Sequence, residues 1–207
     1  MKIDCLVTGA YQENCYILSN EQQEAVVVDP GENANEIIDF ITHHGLSITA
    51  YLCTHAHADH ISALHEVHTQ FPAHIAMHTL DWNWAFDEIN QSPPYYATPM
   101  QPDTETYLAL ETQPQWSIGS FEFEVIHTPG HTPGSCTLYF SADHIALVGD
   151  TLFKGSCGRT DLPGGNAVHL KESLKKLRNL PPETTALSGH GESTTIGHEI
   201  NTNFYMR

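Results

Sequence analysis

Basic residues are scarce in this chain. Eight lysines and arginines stand against 25 aspartates and glutamates, which gives a formal net charge of −17 with histidine neutral. A surface this acidic repels phosphate backbones and disfavours general nucleic-acid binding. We therefore expect no nucleic-acid partner.

Long apolar runs are also missing. The sequence has no tract of about 18 apolar residues that would span a membrane. Its start, Met1-Lys2-Ile3-Asp4, places an acid where a signal peptide would have its apolar core. These features predict no membrane partner and, by default, a cytoplasmic location.

The cysteines do not form a recognisable pattern. Five are scattered along the chain and none belongs to a Cys-x-x-Cys pair, which argues against a disulfide framework and against a thiolate zinc site. They are Cys5, Cys15, Cys53, Cys136 and Cys157. We expect most of them to be small buried hydrophobic side chains.

Apolar segments rich in β-branched and aromatic residues predict strands that alternate with helices, which is typical of helices packed on a sheet. The predicted strands are 3–7, 14–19, 25–28, 48–53, 75–78, 121–126, 136–140, 144–148 and 185–187. A capping box at Asn33 and Glu36 predicts a helix that ends at Gly45, and Asn166 predicts the cap of another. Ile61, Leu64 and Val67 predict a helix directly after the strand at 48–53.

Two stretches have weaker patterns. Residues 80–89 predict a short helix, and the prolines that follow up to residue 102 predict a long loop. Such a loop is either a lid over a site or a plain insertion, and the sequence does not decide between them. Residues 192–207 show no clear pattern beyond a terminal turn.

The densest group of metal-binding side chains follows the strand at 48–53. His55, His57, Asp59 and His60 fall within six residues, where the pattern turns from strand to helix. Imidazole and carboxylate groups suit zinc or iron. His55 and His57 alternate along an extended segment whereas Asp59 and His60 begin a helix, so this segment is able to supply two neighbouring metals. Because the chain has 15 histidines, chance clustering is the competing interpretation.

Three further candidate ligands also stand at the ends of predicted strands. His131 lies between two Pro-Gly pairs, Asp150 follows the strand at 144–148, and His190 lies between two glycines. Side chains from several strand ends commonly gather into one site. A pair of cations about 4 Å apart, bridged by a carboxylate, favours hydrolysis because it lowers the pKa of water and polarises the attacked oxygen. This repeated placement argues against chance clustering.

In their order and spacing these motifs resemble those of the metallo-β-lactamase superfamily. The matching motifs, which extend over nearly the whole chain, are His55-x-His57-x-Asp59-His60, His131 in Gly-His-Thr-Pro-Gly, Gly149-Asp150-Thr151 and Gly189-His190-Gly191. The resemblance implies an α/β fold, namely an αββα sandwich of two mixed β-sheets with helices outside and metals at one edge.

The resemblance also implies a role for each candidate ligand. His55, His57 and His131 would hold one metal, Asp59, His60 and His190 a second, and Asp150 would bridge the two. Asp59 would in addition orient the bridging hydroxide that acts as the nucleophile, which makes it the catalytic residue. Two divalent metal ions are implied, with zinc as the first expectation and iron or manganese as alternatives.

Within the superfamily, the segments Gly149–Phe153 and Cys157–Arg159 resemble the glyoxalase II group, which hydrolyses S-2-hydroxyacylglutathione thioesters. The implied function is a metal-dependent hydrolase that acts on a small-molecule thioester or ester. Long members have a C-terminal helical domain that holds glutathione, whereas sixteen residues, 192–207, follow the last motif here. We therefore expect a single domain over residues 1–207, without that helical domain, as a monomer or a small homo-oligomer.

Arg159 stands where long members have a basic residue near the substrate. Guanidinium groups pair well with carboxylates, so Arg159 is the candidate substrate-binding residue. An internal ion pair with Asp161 is the alternative interpretation. Recognition of glutathione therefore stays open.

The motifs bear on other functions within and beyond the superfamily. Persulfide dioxygenases have a run similar to residues 157–161 and use one iron, held at positions that match His55, His131 and Asp150; the Gly189-His190-Gly191 motif favours the hydrolase. True β-lactamases have a cysteine where Asp150 stands, and flavo-diiron proteins have a glutamate in place of His57. A metal-storage or scaffold protein fits poorly, because the ligand set is complete.

Overall fold

The computed structural model describes residues 1–207, except for the side chain of Thr104. Its strands are β1 (Lys2–Thr8), β2 (Glu13–Ser19), β3 (Glu24–Val28), β4 (Ser47–Leu52), β5 (His74–Met77), β6 (Tyr107–Ala109), β7 (Gln115–Ile118), β8 (Phe121–His127), β9 (Cys136–Phe140), β10 (Ile145–Gly149), β11 (Leu152–Phe153), β12 (Ser156–Cys157), β13 (Thr185–Ser188) and β14 (Thr194–Thr195). Its helices are α1 (Ala34–His44), α2 (Ala58–Ile61), α3 (Leu64–Gln70), α4 (Thr79–Trp82), α5 (Ala167–Leu177) and α6 (Ile196–Thr202).

The strands form two mixed six-stranded sheets. The first sheet has the order β1-β2-β3-β4-β5-β6, in which β3 to β6 run parallel and the other neighbours pair antiparallel. The second sheet has the order β14-β13-β10-β9-β8-β7, and β10 and β13 are its parallel pair. β11 and β12 form a separate two-stranded ribbon.

The sheets and helices pack against one another through three layers of apolar side chains. Because successive side chains of a strand point to opposite faces, Val26 of β3 joins the layer between the sheets whereas Val27 joins the layer under α1 and α3. The second sheet contributes Phe123 and Leu138 to the layer between the sheets. On the outer face of the second sheet, Leu174 of α5 packs in a third layer. The predicted αββα sandwich of two mixed sheets is therefore confirmed.

The helix predicted after the histidine segment is in fact two helices. α2 ends at Ile61 and α3 begins at Leu64. Between them, the Ala63 N–H donates to the carbonyl oxygens of Pro30 at 3.1 Å and Gly31 at 3.0 Å. These acceptors belong to the loop after β3, so the break ties the histidine segment to that loop.

Of the two predicted helix N-caps, one is absent and one is present. Asn33 precedes α1, but its side chain does not cap the helix; Oδ1 accepts from the Gly9 N–H at 2.8 Å and Nδ2 donates to Glu36 at 2.7 Å. Asn166 caps α5 as predicted, since Oδ1 accepts from the N–H groups of Val168 at 2.9 Å and His169 at 3.1 Å.

The segment from residue 80 to residue 115 is more structured than predicted. The helix expected over 80–89 is the single turn of α4, and β6 adds an edge strand to the first sheet. Trp82 stacks on Tyr107 of β6 with ring centroids 4.0 Å apart, and it packs against the apolar layer under the helices. Aromatic packing therefore ties much of this segment to the core.

The C-terminal residues also differ from expectation. They form β14 and α6, and Ile196 and Met206 are buried in the layer beneath α5. Glu199 accepts hydrogen bonds from Thr194 at 2.6 Å and from the Gly155 N–H at 2.9 Å. The tail thus completes the outer layer of the second sheet.

Across the described residues, each helix is too short or too polar to cross a membrane.

Candidate metal centre

The structure brings all seven predicted ligands together at one edge of the sandwich. Each of them stands in a loop or short helix that follows a strand. His55, His57, Asp59 and His60 follow β4, His131 follows β8, Asp150 follows β10 and His190 follows β13. The parallel pairs β3–β4 and β10–β13 explain this arrangement, because they send the loops at their carboxyl ends to the same side.

Two groups of three side chains lie side by side. Possible ligand atoms of His55, His57 and His131 all lie within 4.8 Å of one another, and so do those of Asp59, His60 and His190. In the first group His57 Nδ1 is 2.8 Å from His131 Nε2. In the second group Asp59 Oδ2 is 3.3 Å from His190 Nε2.

Asp150 lies between the two groups. Its Oδ2 is 3.4 Å from His131 Nε2 and 3.6 Å from His190 Nε2, and its Oδ1 is 3.4 Å from His60 Nε2. A single carboxylate thus contacts ligands of both groups. This is the position that a bridging ligand requires.

Several buried atoms at this site suit a bound cation. His55 Nε2, His60 Nε2 and Asp150 Oδ1 are buried, and none of the described residues supplies them with a hydrogen-bond partner. Buried polar atoms nearly always have a partner. Imidazole nitrogens with carboxylate oxygens form a donor set that zinc and iron accept readily. The residues present therefore fit a pair of divalent metals.

Hydrogen bonds at the far side of the rings fix which nitrogen faces the site. Nδ1 of His131 is 2.8 Å from the Arg159 carbonyl oxygen, and Nδ1 of His190 is 3.0 Å from that of Tyr11. Carbonyl oxygens only accept, so each Nδ1 carries the hydrogen and each Nε2 turns its lone pair to the site.

Asp29, in the turn directly after β3, supports the second group of ligands. It is buried, and its carboxylate accepts hydrogen bonds from the Thr54 N–H at 2.7 Å, from the Thr54 hydroxyl at 2.6 Å and from His60 Nδ1 at 3.1 Å. A signal was present in the sequence, because Asp29 stands directly after an apolar strand, as Asp150 does.

Asp81, which the sequence analysis missed, supports the first group. Its buried carboxylate accepts from the Ala56 N–H at 3.0 Å, from the Thr132 hydroxyl at 2.6 Å and from the Gly134 N–H at 2.6 Å. Ala56 lies between His55 and His57, and Thr132 follows His131. Asp81 therefore joins the two loops that carry the first group, and no short motif announced it.

Burial and charge set the protonation of the ligands. Burial lowers the pKa of His55 well below its ordinary value and that of His57 to about 3. Burial acts in the same direction on His60, but the carboxylates of Asp150 and Asp59 outweigh it and raise its pKa well above the ordinary value. His55 and His57 are thus neutral imidazoles with one N–H each at neutral pH, whereas His60 carries a second ring proton until a metal displaces it.

Another buried acid, Glu13, lies beside the second group of ligands. Glu13 is fully buried at the start of β2, where it accepts a hydrogen bond from the Thr8 hydroxyl at 2.7 Å. Its other oxygen lies 4.0 Å from His60 Nδ1. Burial raises the pKa of Glu13 well above its ordinary value, so the protonated form of this carboxyl is favoured beside the ligand layer.

A cavity of about 670 Å³ opens over the two groups of ligands. Asp59, Asp150 and His190 reach it from below, and Arg159 lines it at one side. The Arg159 guanidinium donates two hydrogen bonds to Asp161, both at 2.7 Å. The ion pair with Asp161, which is the alternative interpretation of Arg159, is therefore present. The same arginine side chain also borders the cavity.

The model of the metallo-β-lactamase superfamily matches residues 8–190 of this sequence. The chain belongs to the metallo-β-lactamase superfamily.

Two relatives are similar to this chain over its full length. It is 36% identical to the probable metallo-hydrolase YqgX of Bacillus subtilis over 208 residues, covering 100% of this chain and 98% of that one. It is 30% identical to the hydroxyacylglutathione hydrolase GloC of Haemophilus influenzae over 211 residues, covering 100% and 98%.

Two solved structures share the fold closely. The B3 metallo-β-lactamase BLEG-1 superposes with a TM-score of 0.92 at 37% identity, covering 99% of each chain. A di-iron-bound form of TTHA1623 superposes with a TM-score of 0.86 at 33% identity, covering 98% of this chain and 99% of that one.

Proposed function

We propose that this protein is a two-metal hydrolase that cleaves thioesters, with S-2-hydroxyacylglutathione as the first substrate class. One observation carries the proposal: the two groups of three ligands share a carboxylate, that of Asp150, whose oxygens lie 3.4 to 3.6 Å from His60, His131 and His190. The names of two relatives, a probable metallo-hydrolase and a hydroxyacylglutathione hydrolase, support hydrolysis and thioesters respectively.

The ligands divide the work of holding the metals. His55, His57 and His131 would hold one ion, Asp59, His60 and His190 the other, and Asp150 both. When bound, two divalent ions supply a lowered pKa for water and polarisation of the substrate carbonyl. Zinc is the first expectation, and the di-iron-bound form of TTHA1623 supports iron as an alternative.

Asp59 is the residue that we assign to the attacking water. It borders the cavity, and although burial favours its protonated form, His60 and His190 together outweigh burial and lower its pKa. An ionised carboxylate at that place accepts a hydrogen bond from water and orients its lone pair toward the thioester carbon. The same carboxylate can then take up the proton.

Arg159 is the residue that we assign to the leaving thiol. Its pairing with Asp161 is exposed, with 62% and 68% of the two side chains accessible. Exposed ion pairs are worth little, so a substrate carboxylate can replace Asp161 at small cost. Arg159 would in this way bind a carboxylate of glutathione.

Hydrolysis of β-lactams is a second candidate. True β-lactamases have a cysteine where Asp150 stands, which argues against this candidate. A B3 metallo-β-lactamase nevertheless shares this fold over 99% of each chain. The attack of water on a carbonyl carbon is common to both reactions, so lactams belong in the test.

The test is a substrate panel offered to the purified metal-loaded protein. We expect loss of thioester absorbance with S-lactoylglutathione, and little turnover of a chromogenic cephalosporin. A cephalosporin turned over faster than any thioester would replace the proposal with the second candidate. Oxygen consumption with glutathione persulfide, by a protein that holds a single iron, would overturn hydrolysis in favour of the dioxygenase alternative.

A further inference from the structure

One wall of the cavity consists of apolar side chains beside a metal ligand. Trp84 and Ile89 line the cavity, and the Trp84 ring meets the edge of His57 with ring centroids 5.7 Å apart. Ile89 leaves 60% of its surface exposed. An isolated exposed aliphatic side chain is ordinary, but one that adjoins an aromatic ring inside a ligand cavity offers a binding surface.

The position of this wall is fixed by a buried amide. Asn90 is 4% exposed, and its side-chain NH₂ donates to the carbonyl oxygens of Ala56 and Ala85, both at 2.6 Å. Ala56 stands between His55 and His57, and Ala85 follows Trp84. Asn90 therefore holds Ile89 and Trp84 at a set place relative to the ligands of the first metal.

The charges around the wall disfavour an anionic occupant. Asp87 and Glu88, both exposed, directly precede Ile89. Within the part of the cavity wall that the structure describes, Arg159 is the one lysine or arginine side chain, and Asp161 pairs with it. A carboxylate-bearing group is therefore better placed near Arg159, and an uncharged group against Ile89.

We infer that Trp84 and Ile89 form a subsite for an uncharged apolar acyl chain of the ester substrate. The inference rests on the proposed function and narrows it: the acyl group lies along this wall while Arg159 remains for the thiol portion. Each methylene that the wall removes from water strengthens binding by about two- to fourfold. Selectivity for longer acyl chains is the measurable consequence.

The test varies the acyl chain at constant thiol. Rates would be measured with acetyl-, butyryl- and hexanoyl-glutathione, for which we expect kcat/KM to rise at least tenfold from acetyl to hexanoyl. In Ile89→Asn the hexanoyl-to-acetyl ratio should fall below threefold. Leu80→Asn, which changes another exposed aliphatic residue of this segment outside the cavity, is the matched control and should keep the wild-type ratio.

A binding measurement separates this inference from the proposed function. Hexanoate and acetate, offered to the metal-loaded protein by calorimetry, should differ at least tenfold in affinity, and Ile89→Asn should remove the difference. Absence of any thioester turnover would overturn the proposed function. The ratio of the hexanoate and acetate affinities would still test the subsite formed by Trp84 and Ile89. A chain-length ratio near one, or one that Ile89→Asn leaves intact, would overturn the subsite. A second series would vary the thiol and keep the acetyl group. If Ile89→Asn changed kcat/KM across that series, the assignment of the wall to the acyl chain would be overturned.

Discussion

Nδ1 of His60 lies 3.1 Å from Oδ2 of Asp29, and both residues are buried. A carboxylate accepts, so the ring hydrogen stays on Nδ1 and Nε2 turns toward Asp150. Asp29 also accepts from the N–H and the hydroxyl of Thr54, the residue before the first ligand. One acid in the loop after β3 thus orients the segment that supplies ligands to both metals.

Replacing Asp29 should weaken the metal centre from outside it. In Asp29→Asn the amide cannot present two acceptor oxygens to Thr54 and His60, so His60 loses its fixed orientation. We expect the affinity of the Asp59–His60–His190 group for zinc to fall 10- to 100-fold. Titration against a chromophoric chelator measures this, with Asp39→Asn, an exposed acid of α1, as control. Equal zinc affinities in the three proteins would contradict the role of Asp29.

Asp81 should contribute to the stability of the fold as well as to the position of the first group of ligands. In Asp81→Asn one of three buried donors, those of Ala56, Thr132 and Gly134, faces an amide NH₂ instead of an oxygen. We expect the free energy of unfolding to fall by about 1–3 kcal/mol. Urea unfolding of the metal-free protein measures the loss, and Asp87→Asn, at an exposed position, should change it by less than about 0.5 kcal/mol. A wild-type midpoint for Asp81→Asn would show that these contacts contribute nothing.

The two groups of ligands should respond differently to pH. The pKa values of His60 and His190 are both raised, so a metal entering their group must displace at least one proton. The affinity of that group should therefore rise by about tenfold or more per pH unit while the pH stays below these pKa values. The pKa values of His55 and His57 are lowered, so these rings release no proton near neutral pH. Zinc titrations of the metal-free protein between about pH 6.5 and 8 should therefore show one steep and one shallow dependence. Two equally shallow dependences would contradict the protonation assigned to His60.

Arg159 should affect binding of an anionic substrate more than its conversion. We expect Arg159→Gln to raise KM for S-lactoylglutathione about five- to tenfold with kcat nearly unchanged, because an exposed charge-assisted contact is worth roughly 1 kcal/mol. Asp161→Asn frees the guanidinium from its partner and should lower KM or leave it unchanged. Identical kinetics in wild type and Arg159→Gln would leave the ion pair with Asp161 as the role of Arg159.

The parts of the fold that the sequence predicted are those with strong local signals. β2 and β3 contain the apolar runs Cys15–Leu18 and Ala25–Val28, α5 has both an Asn cap and leucines at helical spacing, and the ligands stand where apolar strands end. For the same reason the sequence indicated all seven candidate ligands.

What the sequence did not predict depends on contacts between distant segments. β6 and β14 are strands of three and two residues that exist because a neighbouring edge pairs with them, and α2 stops because Ala63 bonds to the loop after β3. Asp81 and Asn90 act on backbone groups of Ala56, about 25 to 34 residues away along the chain. Single buried polar residues of this kind carry no periodic or motif signature.

The most direct test of the two-metal centre is the number of metal ions that one chain binds. Metal-free protein would be titrated with zinc, dialysed and analysed by mass spectrometry of the metal content, beside Asp150→Asn. We predict two ions per wild-type chain, at most one in Asp150→Asn, and loss of thioester hydrolysis in that variant. A wild-type chain that holds a single ion, or an Asp150→Asn variant with two ions and full activity, would contradict the shared carboxylate on which the proposed function rests.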